Sequence, residues 1–168
     1  SRVVTKALTL GMNVYLNDPP LQRMSSYEKY RPIEDLFNCD FITLHTPLNR
    51  EGPDKTFHLA DEEFFSDVKR GVFFINSSRG AVHDTAALKS AIQSGKIAGA
   101  VLDVWENEPN IDIELLEMVD FATPHIAGYS YDGKVAGMIM IYNAMCKVFN
   151  LPKKHTADDF LPPPDIRA

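Results

Sequence analysis

GVFFINSSRGAVHDTAALKSAIQSGKIAGAVLDV, residues 71–104, is the stretch on which the fold turns. Its two ends, GVFFINS (71–77) and AGAVLDV (98–104), are short, rich in β-branched or aromatic residues, and mostly apolar on both faces. That pattern suits parallel strands covered on both sides better than a half-exposed antiparallel sheet. Between them DTAALKSAIQSG (84–95) has the marks of a helix. Asp84 stands as N-cap, Ala87, Leu88, Ala91 and Ile92 share one face, and Gly95 is placed to stop it.

Outward from this unit the alternation repeats. NVYLND (13–18), DFITLH (40–45) and VDFATP (119–124) read as further strands. SRVVTKALTLG (1–11), DEEFFSDV (61–68), DIELLEMV (112–119) and DGKVAGMIMIYNAMCKVFN (132–150) read as helices. Strand then helix, repeated about five times, is the signature of a doubly wound α/β domain. The tail LPKKHTADDFLPPPDIRA (151–168) has three consecutive prolines and no periodicity, so it reads as a connector. The first residues lack an initiator Met and read as mid-helix, so a segment of a longer protein is expected.

A net charge of −6 over 168 residues, without a basic block, argues against sequence-independent binding to nucleic acid or an anionic membrane. The two cysteines, Cys39 and Cys146, lie far apart with no C-x-x-C spacing, which favours a reduced, cytoplasmic setting. No apolar run reaches the length of a membrane span. His45, His58, His83 and His125 show no zinc-ligand spacing, so no metal is expected.

In open α/β sheets ligands bind at the carboxyl ends of the strands. The residues there are Asp18; His45, Thr46 and Pro47; Ser77 to Gly80; Asp103; and Pro124 to Gly128. Asp18 by itself reads first as a turn-forming acid before Pro19 and Pro20, and in a dinucleotide-binding domain it suits an acid that accepts hydrogen bonds from ribose hydroxyls. The G-x-G-x-x-G loop that accompanies a ribose acid is expected immediately upstream of Ser1. In NSSRG (76–80), Arg79 can grip a carboxylate with its planar fork or cap a surface turn. VLDVWENEP (101–109) sets Asp103, Glu106 and Glu108 just past a strand, and His125 follows the next one. A carboxylate on one imidazole nitrogen fixes the tautomer and leaves the other nitrogen to exchange a proton with substrate. The Ser77–Ser78 pair lacks the glycines of a nucleophile elbow.

NSSRG, VLDVWENEP and PHIAG, in that order, resemble the Arg, Glu and His segments of the NAD-dependent D-2-hydroxyacid dehydrogenases. HTPLNREGPDKTFHLAD (45–61), Trp105 and HIAGYSYDGK (125–134) resemble one branch of that family, acting on 4-phospho-D-erythronate in a route to pyridoxal phosphate. The resemblance implies a Rossmann-type NAD-binding domain over residues 1–150, lacking its first strand and glycine loop. Residues 151–168 would be the connector toward a substrate and dimerisation region outside this chain.

It further implies that Arg79 binds the substrate carboxylate and that His125, partnered by Glu108, moves the proton, with Glu106 outside the triad. Asp18, His45, Thr46, Pro47, Ser77, Ser78, Asp103 and Gly128 would line the NAD site. The implied partner is a small phosphorylated 2-hydroxy acid, and the whole protein would be a homodimer. Ala136 stands where the branch carries Arg, and no phosphate-holding group falls in this stretch, so this segment alone is expected to be inactive. Two rivals follow: another family member such as a phosphoglycerate dehydrogenase, or a non-catalytic NAD-sensing scaffold.

Overall fold

The computed structural model describes residues 2–25, 29–128 and 130–162. At its centre, strands β1 (Phe41–Leu44), β2 (Val72–Asn76), β3 (Ile97–Leu102) and β4 (Phe121–Ala122) form one parallel sheet in sequence order. Leu44 pairs with Asn76, Asn76 with Leu102, and Leu102 with Ala122, so the carboxyl ends line one edge. Helices α1 (Arg2–Thr9), α2 (Pro19–Ser25), α3 (Glu62–Asp67), α4 (Thr85–Gln93), α5 (Ile113–Met118) and α6 (Tyr131–Val148) complete the order.

Local chemistry accounts for the helix ends. Asp61, Asp84 and Asp112 each accept a backbone N–H three residues on, capping α3, α4 and α5. Gly95 ends α4 at φ +68°, with its own N–H bonded to Ile92 O and that of Lys96 to Ala91 O. That pair of bonds is the Schellman stop, and the left-handed φ is why glycine stands there.

The core lies where α3, α4 and α5 meet the sheet. Phe74, Val72, Leu88, Leu102 and Leu115 are fully or almost fully buried, and Phe64, Phe65 and Phe74 meet edge to face. Alternate residues on the strands, Phe41, Phe73 and Val101, remain exposed. One face of the sheet is therefore covered far more fully than the other, against the expectation of strands buried on both sides.

The expected strand at 13–18 does not form. Among the described residues it makes one parallel bridge, Leu16 to Tyr30, with Arg31 N donating to Leu16 O, and no described strand of the sheet lies beside it. An isolated extended segment has no ladder to join, and its backbone groups turn to the nearest loop instead.

The chain divides into two compact units, 1–124 and 125–168. In the second, Ser130 caps α6 by accepting from Gly133 N, and Asn150 at φ +52° ends it, with Leu151 N bonded to Cys146 O. The residues after α6 then fold back along the helix. Lys154 N donates to Tyr142 Oη, and Tyr131 Oη donates to Phe160 O. The start of the expected connector is thus docked on α6, while residues 163–168 lie outside the described residues.

Candidate active site

The turn that carries Arg79 is built around Asn76, the last residue of β2, which is fully buried. Its Oδ1 accepts from Ser78 N at 3.0 Å and Ser78 Oγ at 2.8 Å. Its Nδ2 donates to Arg79 O at 3.0 Å and to His83 Nδ1 at 2.9 Å. An amide N–H can only donate and a carbonyl can only accept, so Ser78 N and Arg79 O fix which way the Asn76 amide points. His83 must then accept at Nδ1 and carry its proton on Nε2. Burial holds its pKa down at about 4, so the ring is neutral at pH 7.

Next to this turn the chain has no room for a side chain. A Cβ on Gly80 would lie 1.9 Å from Trp105 O and 2.5 Å from Glu106 N. The Arg79 turn and the loop after β3 are therefore in backbone contact, which only glycine permits. In that loop Asn107 adopts φ +59°, and the glutamates on either side take different partners. Glu108 Oε1 accepts from Trp105 N at 2.8 Å, folding its carboxylate onto its own turn. Glu106 Oε1 faces His58 Nε2 at 2.7 Å, and its Oε2 accepts from Thr85 N at 2.9 Å. Partial burial raises the Glu106 pKa, but hydrogen bonds from Thr85 and His58 outweigh it and hold the carboxyl below the usual range.

The remaining expected residues take these places. His45, Thr46 and Pro47 follow β1, with His45 Nε2 3.0 Å from Thr43 Oγ1 and its pKa lowered by loss of solvent. Thr46 Oγ1 is buried without a hydrogen-bond partner among the described atoms. Asp103 is 5% exposed at the end of β3, where it accepts a hydrogen bond from the Thr123 hydroxyl. Residues 45–47, 77–78 and 103 thus share the carboxyl edge of one parallel sheet. An unsatisfied hydroxyl and a buried acid at that edge fit a dinucleotide ligand.

Asp18 caps α2, accepting from Leu21 N at 3.0 Å, the turn role that its two prolines suggested. Arg79 is exposed, with one Nη1 donating to Ser78 O. His125 opens the second unit in the left-handed region at φ +55°, a conformation rare outside glycine and enriched at functional positions. A Cβ on Gly128 would meet nothing within 4 Å, so no described protein group requires glycine there.

No motif in the sequence marks a site role for Asn76, His58 or Thr85. His58 sits at φ +51° between two acids, with Nδ1 3.3 Å from Asp84 Oδ2. The only local sign was a histidine in TFHLAD, because its partner Glu106 is 48 positions away.

Residues 1–127 match the family model described as D-isomer specific 2-hydroxyacid dehydrogenase, NAD binding domain. Erythronate-4-phosphate dehydrogenase of Bacteroides fragilis is 46% identical over 152 residues, covering 90% of this chain and 44% of that protein. The enzyme of the same name from Salinibacter ruber is 44% identical, over 96% of this chain and 43% of its own length. The chain therefore spans under half the length of these relatives. Among solved structures, D-lactate dehydrogenase from Aquifex aeolicus, complexed with NAD and lactic acid, matches with a TM-score of 0.67. It is 31% identical and is matched over 88% of this chain and 50% of its own.

Proposed function

Because the chain belongs to the D-isomer specific 2-hydroxyacid dehydrogenases, as their NAD binding domain, we propose that the whole protein is an erythronate-4-phosphate dehydrogenase. It oxidises 4-phospho-D-erythronate to the 2-oxo acid with NAD. The parallel sheet and its helices are the Rossmann-type fold of that family. Similarity to relatives named for this reaction supports the substrate over other 2-hydroxy acids.

His45, Thr46, Pro47, Ser77, Ser78 and Asp103 would hold NAD along the carboxyl edge, Asp18 would take the ribose, and Gly128 would allow close approach of the backbone. Bound NAD supplies the acceptor for the hydride that leaves C2. The chain's own part is to orient the hydroxy acid and take its proton. Arg79 pairs with the substrate carboxylate in a bidentate grip. His125 accepts the hydroxyl proton as the C2 carbonyl forms, and Glu108 steadies the imidazolium that results. The observation that carries this reading is the backbone contact of Gly80 with Trp105, which joins the Arg79 turn to the Glu108 loop.

We extend the reading to a cytoplasmic homodimer, with residues 1–150 as the partial NAD-binding domain and 151–168 leading to the rest of the protein. Two unpaired cysteines support the reducing compartment. No helix among the described residues is long and apolar enough to cross a membrane.

The assignment of His125 is tested by His125→Ala in the whole protein. Turnover should fall by about 10²–10⁴-fold, the usual worth of a general base, while the Kd for NAD stays within a few-fold. Loss of NAD affinity with turnover intact would remove His125 from proton transfer.

A further inference from the structure

We propose that Glu106 is a positioning residue for Glu108, a brace that sets the catalytic loop from behind. The inference rests on the reading of Glu108 given above. Both Glu106 oxygens are engaged, and by groups from two separate segments: His58 Nε2 at 2.7 Å and Thr85 N, at the start of α4, at 2.9 Å. Its side chain is 17% exposed, so these bonds are made largely out of water.

The holders are themselves held. His58 N donates to Ala81 O at 2.9 Å, and its ring stacks on Phe57 with centroids 4.0 Å apart. Its Nδ1 lies 3.3 Å from Asp84 Oδ2, and Asp84 caps α4 through Ala87 N. The ring is thus faced by two carboxylates, Asp84 and Glu106, with neutral His83 also close in the same cluster. A charged hydrogen bond at each Glu106 oxygen is stronger than a neutral one.

The geometry leaves the loop little freedom. Gly80 presses on Trp105 O, Glu106 is tied outward to α4 and His58, and Glu108 is tied back to Trp105 N. Only Asn107, at φ +59°, separates the two acids. Release of Glu106 frees one side of a two-residue reversal, and the Glu108 carboxylate moves with it. Glu106 thereby acts through Glu108 and touches no substrate.

The test is a double-mutant cycle in the whole protein. Glu106→Ala, Glu108→Gln and the double variant are compared by kcat for NADH formation from 4-phospho-D-erythronate and by the Kd for NAD. Glu106→Ala should lower kcat by on the order of 10²-fold, the cost of about 1 Å of misplacement, and leave the Kd for NAD unchanged. The double variant should be no slower than Glu108→Gln alone, because Glu106 has nothing left to position. Glu106→Gln keeps an acceptor for Thr85 N and should show a smaller loss with the same non-additivity, which covers the case in which alanine unfolds the loop. Multiplied losses, or a Glu106→Ala enzyme with full kcat, overturn the proposal while leaving Glu108 in place. If Glu108→Gln itself keeps full kcat, the role of Glu108 falls, and the brace falls with it.

Discussion

At the scale of single residues, His83 carries a pH dependence that belongs to the fold and not to the chemistry. It is fully buried, and burial lowers its pKa from 6.5 to about 4. Above pH 6.5 the ring is neutral in both folded and unfolded chains and contributes no slope. Between 6.5 and 4 the unfolded chain binds the proton and the folded one does not, so stability falls as the pH falls. Across that window the loss is about 3 kcal/mol at 1.36 kcal/mol per unit. His83→Gln keeps an acceptor for Asn76 and removes the titration. Urea unfolding of both proteins from pH 7 to pH 4 should show the stability advantage of the native residue shrinking by about 3 kcal/mol. A constant difference across that range would contradict the buried neutral ring.

Among the elements, the β2–α4–β3 unit was legible in the sequence because its signals are local. Asp84, the apolar face of α4 and Gly95 lie within one helix length, and each behaves as its chemistry dictates. The segment 13–18 departs from the expected strand because a short apolar run forms a strand only where a partner lies beside it, and among the described residues its one ladder contact is with Tyr30. The Arg79 turn was legible as a polar turn, yet the buried Asn76 hub and the His58–Glu106 link were not. Those bonds join residues whose nearness is a product of the fold. The glycine after Arg79 is a sharper case, since nothing in NSSRG says which loop will press on it. Gly80→Ala should cost at least about 1–3 kcal/mol, as forced overpacking does, and should lower kcat as the Trp105–Glu106 backbone shifts. Thermal melting and turnover in parallel check this, and an alanine variant with unchanged melting would mean that the contact is looser than 1.9 Å implies.

Taken as a whole, the molecule supplies a sheet edge, an arginine turn and an acid loop in its first unit, and a histidine in a left-handed turn at the start of its second. Family and fold follow from what is in the chain, and so does the candidate NAD edge. In the proposed reading substrate choice depends on groups that hold a phosphate, and no such set is legible in this stretch. The similarity to erythronate-4-phosphate dehydrogenases, over less than half of their length, carries that part of the reading. The direct measurement is NADH formation by the whole protein with NAD and 4-phospho-D-erythronate, set against D-lactate and 3-phospho-D-glycerate under the same conditions. A kcat/KM highest for 4-phospho-D-erythronate by at least about 10²-fold, as a site that pairs a substrate's polar groups gives, is the predicted result. NADH formation that favours another hydroxy acid, or none with any of the three, would contradict the account.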